Sequence, residues 1–214
     1  MAIEDMTTEF RVGEVFPETE ANAALMKLWV ASRHVLALKR ALLADNAPSA
    51  VKHEQFLHIF LGIAATLKEA ADAFRTAEAL HCFTALPSEL SAHFTFAREQ
   101  CDESLTTSIA KRFLVRFRNT VGAHFDAKLL ARGLRELGGE TLELRLGGTT
   151  FFDSTYPLET RLIEKILEIH GVTMEQASQE FPRITDLGHS LQKLADAAVN
   201  IAVERAQTAQ GRVR

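Results

Sequence analysis

Apolar positions along this chain recur mostly at three- and four-residue steps, the period of a helix with one buried face. From about Glu20 to Leu43, Leu25, Leu28, Trp29, Val35, Leu36, Leu38 and Leu42 form such a stripe, and DNAPS at 45–49 stops it. A second segment, about Val51 to Phe83, repeats the pattern through Phe56, Ile59, Phe60, Ile63, Leu67, Ala70, Ala71 and Phe74. Pro87 and Ser88 punctuate the chain before ELSAHFTFAREQCDE, which reads as a short helix and a loop. From about Glu103 to Val121, Leu105, Ile109, Phe113, Phe117 and Val121 fall at four-residue intervals, with Lys111, Arg112 and Arg116 on the other side. Gly122 stands where this helix can bend or end. Asp126 is placed to cap AKLLARGLRELGG, whose Leu129, Leu130, Leu134 and Leu137 face inward and whose Gly138 and Gly139 supply the stop.

The period changes once. TLELRL at 141–146 alternates apolar and polar residues, the two glycines at 147–148 form a turn, and TTFFD at 149–153 follows, which predicts a β-hairpin over about 141–153. After Pro157, LETRLIEKILEIHG returns to helix and ends at Gly171. A last helix, about Asp186 to Ala206, places Leu187, Leu191, Leu194, Ala198 and Ile201 on one face and leaves about 207–214 as a loose tail. Together these elements predict a mainly α-helical bundle of five to seven helices with one small β-hairpin, a single domain over 1–214.

Composition narrows the class. With 47% hydrophobic and 24% charged residues, the chain matches a globular protein rather than a disordered one. Its acidic start, MAIEDMTTEF, has no basic region leading into an apolar run, and FLHIFLGIAATL at 56–67 is too short to span a bilayer. A cytoplasmic location with no membrane partner is therefore expected. Cys82 and Cys101 form neither a CxxC nor a CxxH pair, which fits a reducing compartment and leaves the role of each thiol open.

Eight histidines invite a metal site. His53 and His58 stand roughly 140° apart around a helix, and the second histidine of HEQFLH is one residue late for the HExxH zinc motif. No metal is expected. GxGxxG, GxxxxGK[ST] and GxSxG are all absent, so the common nucleotide-binding and hydrolase classes fall away and no cofactor is implied.

Charge is uneven. Within a chain of net charge −4, residues 105–135 hold Lys111, Arg112, Arg116, Arg118, Lys128, Arg132 and Arg135 against Asp126 alone. A confined basic surface on an acidic protein suits a phosphate-binding site, while no DNA partner is expected.

Inside that window lies RFRNTVGAHFD, residues 116–126. The arginine guanidinium is permanently charged and forked to suit a phosphate, and a histidine exchanges protons near neutral pH. Such a pair could cleave RNA without metal, His124 moving the 2′-hydroxyl or leaving-group proton and Arg118 stabilising the pentacoordinate phosphate. On an unbroken helix the two would stand roughly 120° apart and not converge. Convergence needs either a break at Gly122 or a site shared across a two-fold dimer.

RNTVGAH, followed by DAKLLARGLREL and LELRLGGTTFFD, resembles the HEPN superfamily, helical-bundle proteins that include prokaryotic toxins, antiphage factors and RNA-processing nucleases. The resemblance covers about residues 105–155. It implies metal-independent RNA cleavage by a homodimer, with Arg118 and His124 catalytic, Asn119 orienting them or contacting phosphate, and Lys111, Arg112 and Arg116 guiding the RNA backbone. Asp126 stands where a subset of the family has tyrosine, so the toxin type regulated by a partner nucleotidyltransferase is not implied. The competing class is a noncatalytic binding or sensing module in which Arg118 pairs with a carboxylate such as Glu103 or Asp126 and His124 is structural.

Overall fold

The structure is a computed structural model, and it describes residues 11–44, 49–115, 127–140, 157–169 and 171–209. Among them are α1 (Val12–Val15), α2 (Glu20–Ala44), α3 (Ser49–Ala79), a 3-10 turn (Ser88–Leu90), α4 (Ser91–Cys101), a π-helical turn (Ala110–Leu114), α5 (Ala127–Leu137), α6 (Pro157–Ile169) and α7 (Met174–Ala209). The fold is mainly helical, as the periodicity predicts. No strand occurs among the described residues, and the hairpin expected over about 141–153 lies outside them.

Helix α2 begins where Thr19 accepts the Asn22 amide through its Oγ1 at 3.2 Å, satisfying one of the unpaired donors of the first turn. Its buried face, Ala24, Leu25, Leu28, Ala31, Ser32 and Val35, lies against the longer α3 and against α7. Helix α3 contributes Phe60, Ile63, Leu67 and Phe74 with Ala64, Ala70, Ala71 and Ala77 between them. Small residues let neighbouring backbones approach and large ones fill the layer between. One close approach is at Gly188 of α7, where an added Cβ would stand 2.7 Å from Val35 Cγ1 of α2.

Helices α3 and α6 stop by the same device. At the end of α3, Cys82 donates its amide to the Ala77 carbonyl and His81 to Glu78; after α6, Val172 donates to Leu167 and Gly171 to Glu168. Both are Schellman turns, which need one residue in the left-handed region. Gly171 meets that need at φ 72°, whereas His81 adopts φ 59° despite its Cβ.

Three expectations are corrected. The helix predicted from Glu103 starts at Ile109, because residues 102–108 form a turn sequence of their own. Within it the Asp102 carboxylate accepts the Ser104 amide at 2.8 Å and hydroxyl at 2.7 Å, and Ser108 Oγ donates to the Asp102 carbonyl. These bonds give the backbone an alternative to helix. Leu105 consequently leaves the apolar stripe and is 41% exposed. The last helix starts at Met174 rather than Asp186 and runs through Pro182 to Ala209, so 207–209 are helix and not tail. Its start is a capping box: Gln176 donates its amide to Thr173 Oγ1, and Thr173 donates its amide to Gln176 Oε1, both at 3.1 Å. Leu134, expected to face inward, is 48% exposed on α5, while Leu137 is buried.

Candidate functional site

Lys111 and Arg112 sit on the π turn, exposed on the face opposite the buried Ala110, Phe113 and Leu114. Phe113 anchors this turn, its ring meeting Phe60 of α3 edge-on at 5.5 Å; Phe181 of α7 lies 6.1 Å from the same Phe60 ring. The turn is also held from below, where Gln100 of α4 accepts the Ile109 amide at 3.2 Å and Ser108 Oγ accepts the Lys111 amide at 3.0 Å. A π turn widens the helix by one residue and is frequent at functional sites.

Beside this turn lies a cleft of about 330 Å³, lined by Arg112, Phe113, Gly171, Val172, Gln176, Gln179 and Glu180. Arg112 is not free within it: its guanidinium pairs with the Glu180 carboxylate of α7. Glu180 also faces Arg183 at 3.6 Å, and Arg183 donates to Gln100 Oε1 at 3.2 Å. A polar chain therefore links the π turn to α7 and α4. Lys111 makes no ion pair among the described residues.

Behind the turn, Lys68, Asp72 and Arg75 of α3 close on Glu103. Lys68 Nζ lies 2.5 Å from Asp72 and 3.1 Å from Glu103; Arg75 lies 2.7 Å from Glu103 and also pairs with Asp72. Burial alone would raise the carboxyl pKa values of Asp72 and Glu103, but hydrogen bonds and charge from Lys68 and Arg75 outweigh it and hold both below the ordinary range. Glu103, a partner considered for Arg118, is thus bonded into this network. Cys101 next to it is fully buried, and burial pushes its thiol pKa far up, so it is an inert thiol. Burial also raises the Cys82 thiol.

Of the residues singled out in the sequence, the structure brings Lys111 and Arg112 to one exposed turn. Arg116, Arg118, Asn119, His124 and Asp126 lie outside the described residues. The sequence reading missed Glu180, Gln100 and Arg183, whose contacts join segments far apart in the chain and leave no local signal. Among the described residues there is no group of three or more histidine, cysteine or acidic side chains placed to hold a metal ion, and no helix long and apolar enough to cross a membrane. Comparison with family models, curated proteins and solved structures finds no match.

Proposed function

We propose that this protein is a metal-independent endoribonuclease of the HEPN type, acting as a homodimer in the cytoplasm, in a toxin or antiphage setting. The observation that carries the reading is the exposed cationic pair Lys111–Arg112 on a π turn whose apolar side is locked into the core, directly ahead in the chain of RFRNTVGAH. Lys111 is open to RNA phosphates on this turn, and Arg112 becomes so on leaving Glu180.

In the proposed reaction the ribose 2′-oxygen attacks the adjacent phosphorus. The 2′-hydroxyl proton passes to a base, the bond to the 5′-oxygen breaks, and that oxygen leaves protonated. The products are a 2′,3′-cyclic phosphate and a 5′-hydroxyl. His124 is the proton-transfer group, Arg118 stabilises charge on the pentacoordinate phosphorus, and Asn119 positions the phosphate.

The test is incubation of mixed cellular RNA with purified protein in EDTA, beside a His124→Ala variant shown by circular dichroism to be folded. Cleavage by the wild type that disappears in the folded variant supports the assignment; equal cleavage by both overturns it. A second reading, a noncatalytic RNA-binding or sensing module, is favoured by the Arg112–Glu180 pair, which draws one candidate phosphate contact into the protein's own network. That reading predicts salt-sensitive retention of RNA with no cleavage.

A further inference from the structure

Away from the cleft, a second group of cationic side chains converges where α4 meets α7. His93 of α4 has its Nδ1 3.1 Å from Ser190 Oγ, and Lys193 Nζ stands 3.1 Å from His93 Nε2. The rings of His93 and His189 lie edge to face with centroids 6.2 Å apart. Lys39 of α2 acts electrostatically on His189 as well. His189 and Lys193 are exposed, His93 is half-buried, and Ser190 is only 4% exposed.

The hydrogen-bond roles follow from the chemistry of each group. An ammonium only donates, so His93 Nε2 accepts from Lys193, and the ring proton then sits on Nδ1 and is donated to Ser190. This polarity excludes a serine nucleophile activated by histidine, since His93 gives a proton to Ser190 instead of receiving one and has a cation, not a carboxylate, on its far side. What remains is a cluster of donors short of acceptors. Lys39 faces His189 from α2, His93 from α4, and Lys193 from one turn along α7; Asp186, one turn the other way, is the opposing charge. No carboxylate among the described residues lies within ion-pair distance of His93, His189 or Lys193.

Protonating His93 turns Nε2 into a donor and sets it against the Lys193 ammonium. Two cations in contact are unfavourable unless something with several lone pairs lies between them. A tetrahedral oxyanion fits, because separate oxygens can accept from Lys193, His93 and His189 in charge-assisted bonds. We propose that His93, His189 and Lys193 form a pH-gated oxyanion site of the phosphate class, filled when the imidazoles protonate. The proposal is independent of the ribonuclease reading. Partial desolvation, then the charges of Lys193, His93 and Lys39, keep His189 below the ordinary imidazole range against the pull of Asp186, so a bound anion that offsets those charges favours the protonated ring.

The test follows imidazole NMR signals of the full chain, labelled at histidine, during titration with inorganic sulfate, whose charge is constant from pH 5.5 to 8. Saturable shifts of His93 and His189 are expected, with affinity at least about tenfold higher at pH 5.5 than at pH 8, the factor for one proton taken up per unit of pH over a single unit. Lys193→Gln and His189→Gln, both at exposed positions, should each weaken sulfate by about tenfold or more. Lys27→Gln, removing a cation paired with Glu69 on the surface, should leave it unchanged. Non-saturable shifts, pH-independent affinity, or equal losses in Lys27→Gln and Lys193→Gln would mean diffuse surface electrostatics and overturn the proposal. Competition then identifies the source: displacement by inorganic phosphate alone supports a free or terminal phosphate, and equal displacement by an RNA trinucleotide lacking terminal phosphates supports a backbone phosphodiester.

Discussion

Replacing Lys68 with methionine tests whether the buried charge cluster stabilises the fold behind the candidate site. The Lys68 side chain is 6% exposed, while those of Asp72 and Glu103 are 28% and 36% exposed. Methionine fills a similar volume and removes two charge-assisted hydrogen bonds, each contributing about 1.5–3 kcal/mol. Taking one partner from a fully buried pair costs about 3–5 kcal/mol. Here Arg75 still bonds both carboxylates, water reaches about a third of each, and the desolvation of the ammonium is relieved, so a loss of about 2 kcal/mol is expected. In urea, with a slope of about 2 kcal/mol/M, the midpoint falls by about 1 M.

The pH dependence separates this account from a packing defect. Asp72 and Glu103 titrate below their unfolded values of 3.8 and 4.5, so their contribution is present above those values and is lost as pH falls through the folded pKa values. Losing Lys68 raises both. The gap between wild type and Lys68→Met should therefore be full at pH 7 and shrink below about pH 4, as the carboxylates that needed the cation become neutral. Urea melts at intervals from pH 7 to pH 3 measure it. A loss below about 0.5 kcal/mol, or one that stays constant through that range, refutes the reasoning.

Three further outcomes follow from particular backbone angles and one contact. His81→Gly should raise the melting temperature, the left-handed geometry at φ 59° costing an L-residue about 1–2 kcal/mol and glycine's extra chain entropy returning only part of that, whereas Gly171→Ala at φ 72° should lower it by a similar amount. Glu180→Gln should release Arg112 and tighten RNA binding, with the slope of log affinity against log salt steepening by about one, measured by filter retention between 50 and 200 mM salt.

Helices α2, α3 and α6 were legible because their apolar residues repeat over several turns and their ends carry local stops, as with Gly171 after α6. The two misplaced helix starts have one cause: side-chain oxygens bonding to nearby backbone. Thr173 and Gln176 start α7 well before its long apolar stripe begins, and Asp102, Ser104 and Ser108 delay a helix whose stripe seemed to begin at Leu105. The TMEQ box is a sequence signal and was readable in principle. The contacts of Glu103 and Glu180 were not, since each depends on which distant cations the bundle brings near.

Those two glutamates act differently on the described part of the basic run: Glu180 pairs with its Arg112, and Glu103 helps fix where its helix starts. Glu103 is fastened by Lys68 and Arg75, and the turn it begins is closed by Asp102 and Ser108, so Ile109 enters its helix at a fixed point. From there Phe113 locks inward on Phe60, which obliges Lys111 and Arg112 to face outward. Glu180 then meets Arg112 from α7 and leaves Lys111 as the cation on this turn without an ion-pair partner among the described residues. An RNA phosphate arriving at Arg112 must compete with a carboxylate already in place, whereas at Lys111 it displaces only water. If the protein binds RNA as proposed, the order in which the two cations engage it is set by a residue of α7 outside the basic segment, with Lys111 the first contact.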